Sequence, residues 1–252
     1  MPCLYEFFES VKDIEIAQSC GASHEPFVNI WMHNGFVQVA DEKMSKSLGN
    51  FFTIREILKT HRAEVVRYFV LSRHYRSPLN YTEEDLVQTR AALDRLYTAL
   101  RGVPADGAPD EGVLERFRQV MDDDFNTAEG LATMQECASA LNRAKAADDP
   151  ERTTALAAAL LEMGAVTGLL REEPESWFKR ADGKARSRDA GVQPGAQTAD
   201  GLTDEAIERL IEARKEARGR KDWAEADRIR DELAQAGVIL EDGAGETTWR
   251  RG

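Results

Sequence analysis

The sequence predicts a mainly α-helical protein: a short strand-and-loop region, then a helical bundle, then a small α+β module at the end. Three observations carry that expectation. Capping signals followed by apolar residues at helical spacing recur from Thr53 onwards. β-like runs occur only before that point and again near the carboxyl end, where two of them flank an Asp-Gly turn. Between the bundle and the last module, the run from Ala181 to Thr198 lacks large apolar residues. The expected regions are 1–81, the bundle 82–171, a flexible linker 172–202 and the terminal module 203–252.

Taken in order, residues 1–26 show no regular pattern, and Phe36-Val37-Gln38-Val39 reads as a short strand. It leads into the loop Asp41-Glu42-Lys43-Met44-Ser45-Lys46-Ser47-Leu48-Gly49-Asn50. Thr53 with Glu56 three residues on is a capping box that opens a helix through Lys59, and 63–71 reads as a second, mostly buried helix. Thr82 to Asp85 reads as another capping box, followed by Leu86, Leu93, Leu96, Tyr97 and Leu100 at helical spacing. Gly102 through Gly112 is a Pro/Gly-rich break. The next helix carries Val113, Leu114, Phe117, Val120 and Met121. Asn126 or Thr127 caps a long helix to about Ala147, and Pro150 starts one whose apolar residues run from Leu156 through Leu160, Leu161 and Met163 to Leu169. Four helices over 82–171 make a bundle. In the last module Thr203 opens a charged helix to about Arg218, Gly219 to Asp222 turn the chain, and a helix follows from Trp223 to Gln235 with Gly237 as its stop. Residues 238–241 and 247–250 then form a hairpin.

Composition narrows the function. With 42% hydrophobic residues in 252, the chain can bury real cores, yet no apolar run is long enough to cross a bilayer. MPCLYEFFESVKD lacks the basic and apolar regions of a signal peptide, and three cysteines (Cys3, Cys20, Cys137) make no disulfide framework. A cytoplasmic protein without a membrane partner is expected. A net charge of -12 argues at first against nucleic acid. The charge is uneven, however: Arg55, Lys59, Arg62, Arg67, Arg73 and Arg76, with His61 and His74, face only Glu56 and Glu64 in that window. This basic island is either a nucleic-acid contact or a solvated helix face.

The loop carries the chemistry. Lysines in a mobile Gly/Ser-containing loop can neutralise charge that develops on transferring phosphates, and the loop can close over a nucleotide and release it. Lys43 and Lys46 are placed for that, with Ser45 and Ser47 as hydroxyl donors. Lys43-Met44-Ser45-Lys46-Ser47 resembles the KMSKS signature of class I aminoacyl-tRNA synthetases. Val28 to Gly35, Leu48 to Phe52, Val66 to Tyr81 and the closing run Lys221 to Arg251 resemble cysteinyl-tRNA synthetases in particular, so the resemblance extends from about residue 15 to the end.

The resemblance implies a remnant of the class I catalytic domain with the KMSKS loop and stem-contact fold over 1–81. It also implies a tRNA-binding helical bundle over 82–171 and an anticodon-recognition module over 203–252. The implied activity is cysteine–tRNA ligation, with ATP and cysteine as substrates and cysteine tRNA as partner, in a monomer. Lys43 and Lys46 would be catalytic. Lys46, with Met44, Ser45 and Ser47, would contact ATP. Arg73 and Arg76 would meet tRNA, as would Trp249, Arg250 and Arg251. Trp249 is suited to stack on an unpaired base, with hairpin packing as the alternative reading, and Trp223 reads as core.

Departures from the family are equally legible. No HIGH motif occurs, and the family's cysteine-selecting zinc, held by two cysteines, a histidine and a glutamate, finds only Glu15. Val11 stands in the histidine position, and Cys20 with His24 does not match the ligand positions. Upstream of Glu15 the resemblance stops abruptly. A truncated or frame-shifted synthetase is therefore expected, inactive alone, with a non-catalytic tRNA-binding fragment or degenerate paralogue as the alternative.

Overall fold

The computed structural model describes residues 18, 21–22, 30, 32–39, 42–44, 53–179, 202–242 and 247–251. Strand β1 (Val37–Val39) pairs antiparallel with β2 (Glu42–Lys43) and parallel with β3 (Leu79–Tyr81), giving the order β2-β1-β3. Gly35 brings the chain onto this sheet. Its N–H donates to the Tyr75 carbonyl at 2.7 Å, and a Cβ there would sit 2.2 Å from the Ser77 carbonyl oxygen. Only a residue without a side chain fits that approach.

Helix α1 (Ile54–Ile57) starts at the expected capping box: Thr53 N–H donates to the Glu56 carboxylate at 2.7 Å, and Glu56 N–H to the Thr53 hydroxyl at 3.3 Å. Helix α2 (Ala63–Leu71) buries Val65, Tyr68 and Phe69. Helix α3 (Glu83–Leu100) buries the whole expected stripe, from Leu86 to Leu100. Its box is half made: Asp85 N–H donates to Thr82, but the Asp85 carboxylate accepts from the Thr82 hydroxyl rather than from its backbone. Helix α4 (Glu111–Asp122) begins at the Asp110 cap, so Gly112 lies inside it and not in the preceding break. Helices α5 (Thr127–Ala146) and α6 (Pro150–Thr167) start at Asn126 and Pro150 as expected.

These helices share one core with Tyr97, Leu131, Met134, Leu141, Leu160, Met163 and Leu169 at its centre. The stop after α6 is exacting. Gly168 has φ +70°, and an added Cβ would lie 1.8 Å from Arg67 Nη1, which donates to the Gly168 carbonyl. Leu169 N–H then donates to the Gly164 carbonyl at 2.8 Å, and Leu170 N–H to Glu64, whose carboxyl also accepts from Tyr97; burial raises the Glu64 pKa above the ordinary value.

The linker expected to begin at 172 is corrected here. Helix α7 (Pro174–Lys179) packs on α3, with Trp177 fully buried and Phe178 nearly so. Two large aromatics repay the ordering of a short helix that has no periodicity of its own. The expected run 181–198 lies outside the described residues.

The terminal module consists of α8 (Asp204–Gly219), α9 (Trp223–Gln235) and the hairpin β4 (Val238–Asp242) with β5 (Thr247–Arg251), with its own core of Ile207, Ile229, Leu233, Val238 and Trp249. Thr203 caps α8, and Gly237 follows α9 at φ +72°, as expected. The module is tied to the bundle through α7 and α3: β5 packs on α7, Lys179 pairs with Glu208 at 3.2 Å, and Arg101 reaches Glu175 and Glu241 at 2.8 Å each.

Candidate functional site

The lysine run leaves the sheet at a defined point. Lys43 ends β2 opposite Gln38, and Met44, half-buried, donates its N–H to the Val37 carbonyl at 3.3 Å. The chain is pinned again at Thr53, where the capping box begins α1. Hydrogen bonds thus hold the chain at Met44 and again at Thr53. Ser45, Lys46 and Ser47 lie outside the described residues, as do Glu15, Cys3 and Cys20 with His24.

The basic island divides into held and open cations. Arg62 is buried and donates to the Trp177 carbonyl at 2.7 Å. His61 pairs with Glu83 at 2.7 Å. Arg76, expected to meet RNA, is clasped by Asp124 through Nε at 2.6 Å and Nη2 at 3.1 Å, while Tyr75 donates its hydroxyl to the same carboxylate at 2.7 Å. Arg76 and Tyr75 hold the Asp124 carboxyl well down, at about 2. This clasp ties the segment after α2 to the α4–α5 connection, where Asp124 and Phe125 both have positive φ. Arg73 by contrast is exposed and lines a groove between α2, β3 and α3.

The expected RNA-binding residues of the tail have structural partners. Trp249 is 3% exposed, and its ring lies between Lys179 Nζ at 5.5 Å and Arg251 Cζ at 5.6 Å, so it is the hairpin packing residue of the alternative reading. Arg251 donates to the carbonyls of Lys179 and Leu202 at 3.0 and 2.9 Å and to Asp204 at 2.7 Å. Arg250 Nε lies 3.1 Å from Glu241, the carboxylate that Arg101 also reaches.

The exposed ring of the module is Trp223, read from the sequence as core, with 60% of its surface free. It stands at the first position of α9, directly after the turn in which Lys221 adopts φ +61°. Periodicity places it three residues before buried Ala226, yet α8 has already ended at Gly219 and does not cover it among the described residues. Arg220 and Lys221 beside it are exposed too. An uncovered indole flanked by cations suits an unpaired base and its phosphate. Position relative to the end of a partner helix was the missing signal.

Cys137 is no nucleophile: its thiol is buried against the Leu156 carbonyl, and burial pushes its pKa up to about 12.

Residues 9–91 match the family of "tRNA synthetases class I (C) catalytic domain", which places the chain among class I aminoacyl-tRNA synthetase polypeptides. Residues 116–171 match the DALR domain and 200–250 the cysteinyl-tRNA ligase anticodon binding domain; the chain belongs to the cysteinyl-tRNA synthetase family. It is 54% identical over 243 residues to a cysteine–tRNA ligase of Methylococcus capsulatus, covering 94% of this chain and 49% of that protein. It is 55% and 52% identical over 240 residues to cysteine–tRNA ligases of Thioalkalivibrio sulfidiphilus and Alkalilimnicola ehrlichii, covering 94% of this chain and 48% of each relative. The chain spans about half the length of the curated relatives it matches. Among the described residues no helix is long and apolar enough to cross a membrane.

Proposed function

We propose that this chain serves cysteine–tRNA ligation, the ATP-driven attachment of cysteine to the terminal ribose of its tRNA, as a cytoplasmic monomer that supplies the lysine loop and the RNA-engaging surfaces. The observation that carries this reading is the rooting of Lys43 and Met44 on a three-stranded sheet whose third strand runs straight into the helical bundle. In this account Lys43 and Lys46 neutralise charge on the leaving phosphates, Met44, Ser45 and Ser47 shape the loop around ATP, and the hydrogen bonds at Met44 and Thr53 set the hinges. The module over 203–252 reads the anticodon arm, with Trp223 as the stacking platform. Zinc does not fit the residues of this chain. Val11 occupies the place of a histidine ligand, which leaves Glu15 the one matching carboxylate. Among the described residues no three His, Cys, Asp or Glu side chains stand together.

Two assays test the proposal. Pyrophosphate exchange with cysteine and ATP is expected to be absent for the chain alone; robust exchange would refute the reading that this chain is inactive alone. Filter binding of cysteine tRNA is expected to be saturable, and Trp223→Ala to weaken it by roughly five- to a hundredfold, the equivalent of one stacked base.

A further inference from the structure

The bundle and the terminal module keep separate apolar cores: among the described residues no buried side chain belongs to both. The contacts that join them are charged. Arg101 Nη1 reaches Glu241 of β4 at 2.8 Å, and Lys179 Nζ reaches Glu208 of α8 at 3.2 Å. The same ammonium lies 5.5 Å from the Trp249 ring, and Arg251 Nε donates to the Lys179 carbonyl at 3.0 Å. An apolar seam is indifferent to dissolved ions, whereas ion pairs that are partly open to solvent are screened by them.

Arg101 is a prepared anchor. Its N–H donates to the Tyr97 carbonyl at 3.1 Å, and its own carbonyl accepts from Lys145 of α5 at 2.9 Å, so the backbone is fixed at the end of α3. Its guanidinium lies 4.9 Å over the Phe178 ring and reaches Glu175 at 2.8 Å. Facing it, Glu241 is half open to solvent and lies 3.1 Å from Arg250 of its own hairpin as well.

Parting the two bodies strands none of these charges. Arg101 keeps Glu175, Glu241 keeps Arg250, and Arg251 keeps Asp204 and the Leu202 carbonyl. Glu208 is exposed and passes to water. Breaking a buried ion pair is costly because one uncompensated charge stays behind. Here that penalty is absent, which leaves only the modest energies of partly exposed pairs between the seated and the released arrangement.

We infer that the terminal module is a releasable arm, latched to the bundle by Arg101 through Glu241 and freed with both bodies still folded. Seated, it holds Trp223 at a fixed reach from the bundle; released, it lets that reach vary. The latch is independent of which RNA, if any, the module engages.

Small-angle X-ray scattering of the full chain tests this over sodium chloride from about 0.05 M to about 1 M, where the screening length falls to about 3 Å, close to the pair distances. Wild type is expected to be compact at the low end and to rise in radius of gyration towards the high end, with its helical circular dichroism unchanged. Arg101→Met is expected to show the larger radius already at the low end. Arg118→Met, whose ion pairs with Glu111 and Glu115 lie within α4, should follow wild type. Should Arg101→Met unfold the chain, Glu241→Gln leaves the Arg101–Glu175 pair in place and is expected to expand at lower salt than wild type. Three results would each overturn the latch: a wild type already expanded at the low end, one that stays compact throughout, or a folded Arg101 or Glu241 variant that follows wild type.

Discussion

The Arg62 guanidinium lies 4.4 Å over the indole of Trp177 and donates to that residue's own carbonyl at 2.7 Å. Tyr97 stacks on the same indole at 4.3 Å, and Trp177 Nε1–H donates to Asp94 at 2.6 Å. One tryptophan thus joins α2, α3 and α7, and closes the bundle where the terminal module attaches. Trp177→Ala is expected to destabilise the chain by about 3–5 kcal/mol, from lost burial plus a cavity. Urea unfolding checks this, and a loss below about 1 kcal/mol would mean that α7 is dispensable.

The Arg76–Asp124 clasp predicts an acid dependence. The folded pKa of Asp124 is depressed to about 2 from an ordinary 3.8, so its stabilising contribution is fully present above 3.8 and is lost as pH falls towards 2. The melting-temperature difference between wild type and Asp124→Asn should therefore persist at neutral pH and close over that window. A difference that stays constant down to pH 2 would contradict the clasp.

Glu64 predicts the opposite sign. Burial raises its folded pKa above 4.5, so ionisation costs stability as pH rises through that raised value. Compared with wild type, Glu64→Gln should gain relative stability as pH is raised above 4.5. Parallel melting curves across that range would refute this.

The two tryptophans of the terminal module should separate cleanly. Trp249→Ala removes a core ring and is expected to lower stability by about 3–5 kcal/mol, with any loss of RNA binding following from unfolding. Trp223→Ala should leave the melting temperature within a degree or two and weaken RNA binding. Circular dichroism melts beside filter binding distinguish them, and the reverse pattern would exchange their roles.

What was legible in the sequence was largely local. The box at Thr53, the caps at Asn126 and Thr203, Pro150, and the stripe from Leu86 to Leu100 act within a few residues, and each stands where it was expected. What was hidden depends on distant partners. Trp177 lies in a polar, six-residue helix whose value comes from Arg62, 115 residues away. The basic island looked uniform because Asp124 and Gly168, which hold Arg76 and Arg67, lie far along the chain. Trp223 and Trp249 differ only in whether another element covers them. The lysine run was the reverse case, recognisable at once from five residues.

The most direct measurement is a competition assay of the intact chain between cysteine tRNA and an unrelated tRNA of the same length at fixed salt. Preference for cysteine tRNA by about tenfold or more is predicted, on the scale of one or two specific contacts. Equal affinity for both would contradict the account.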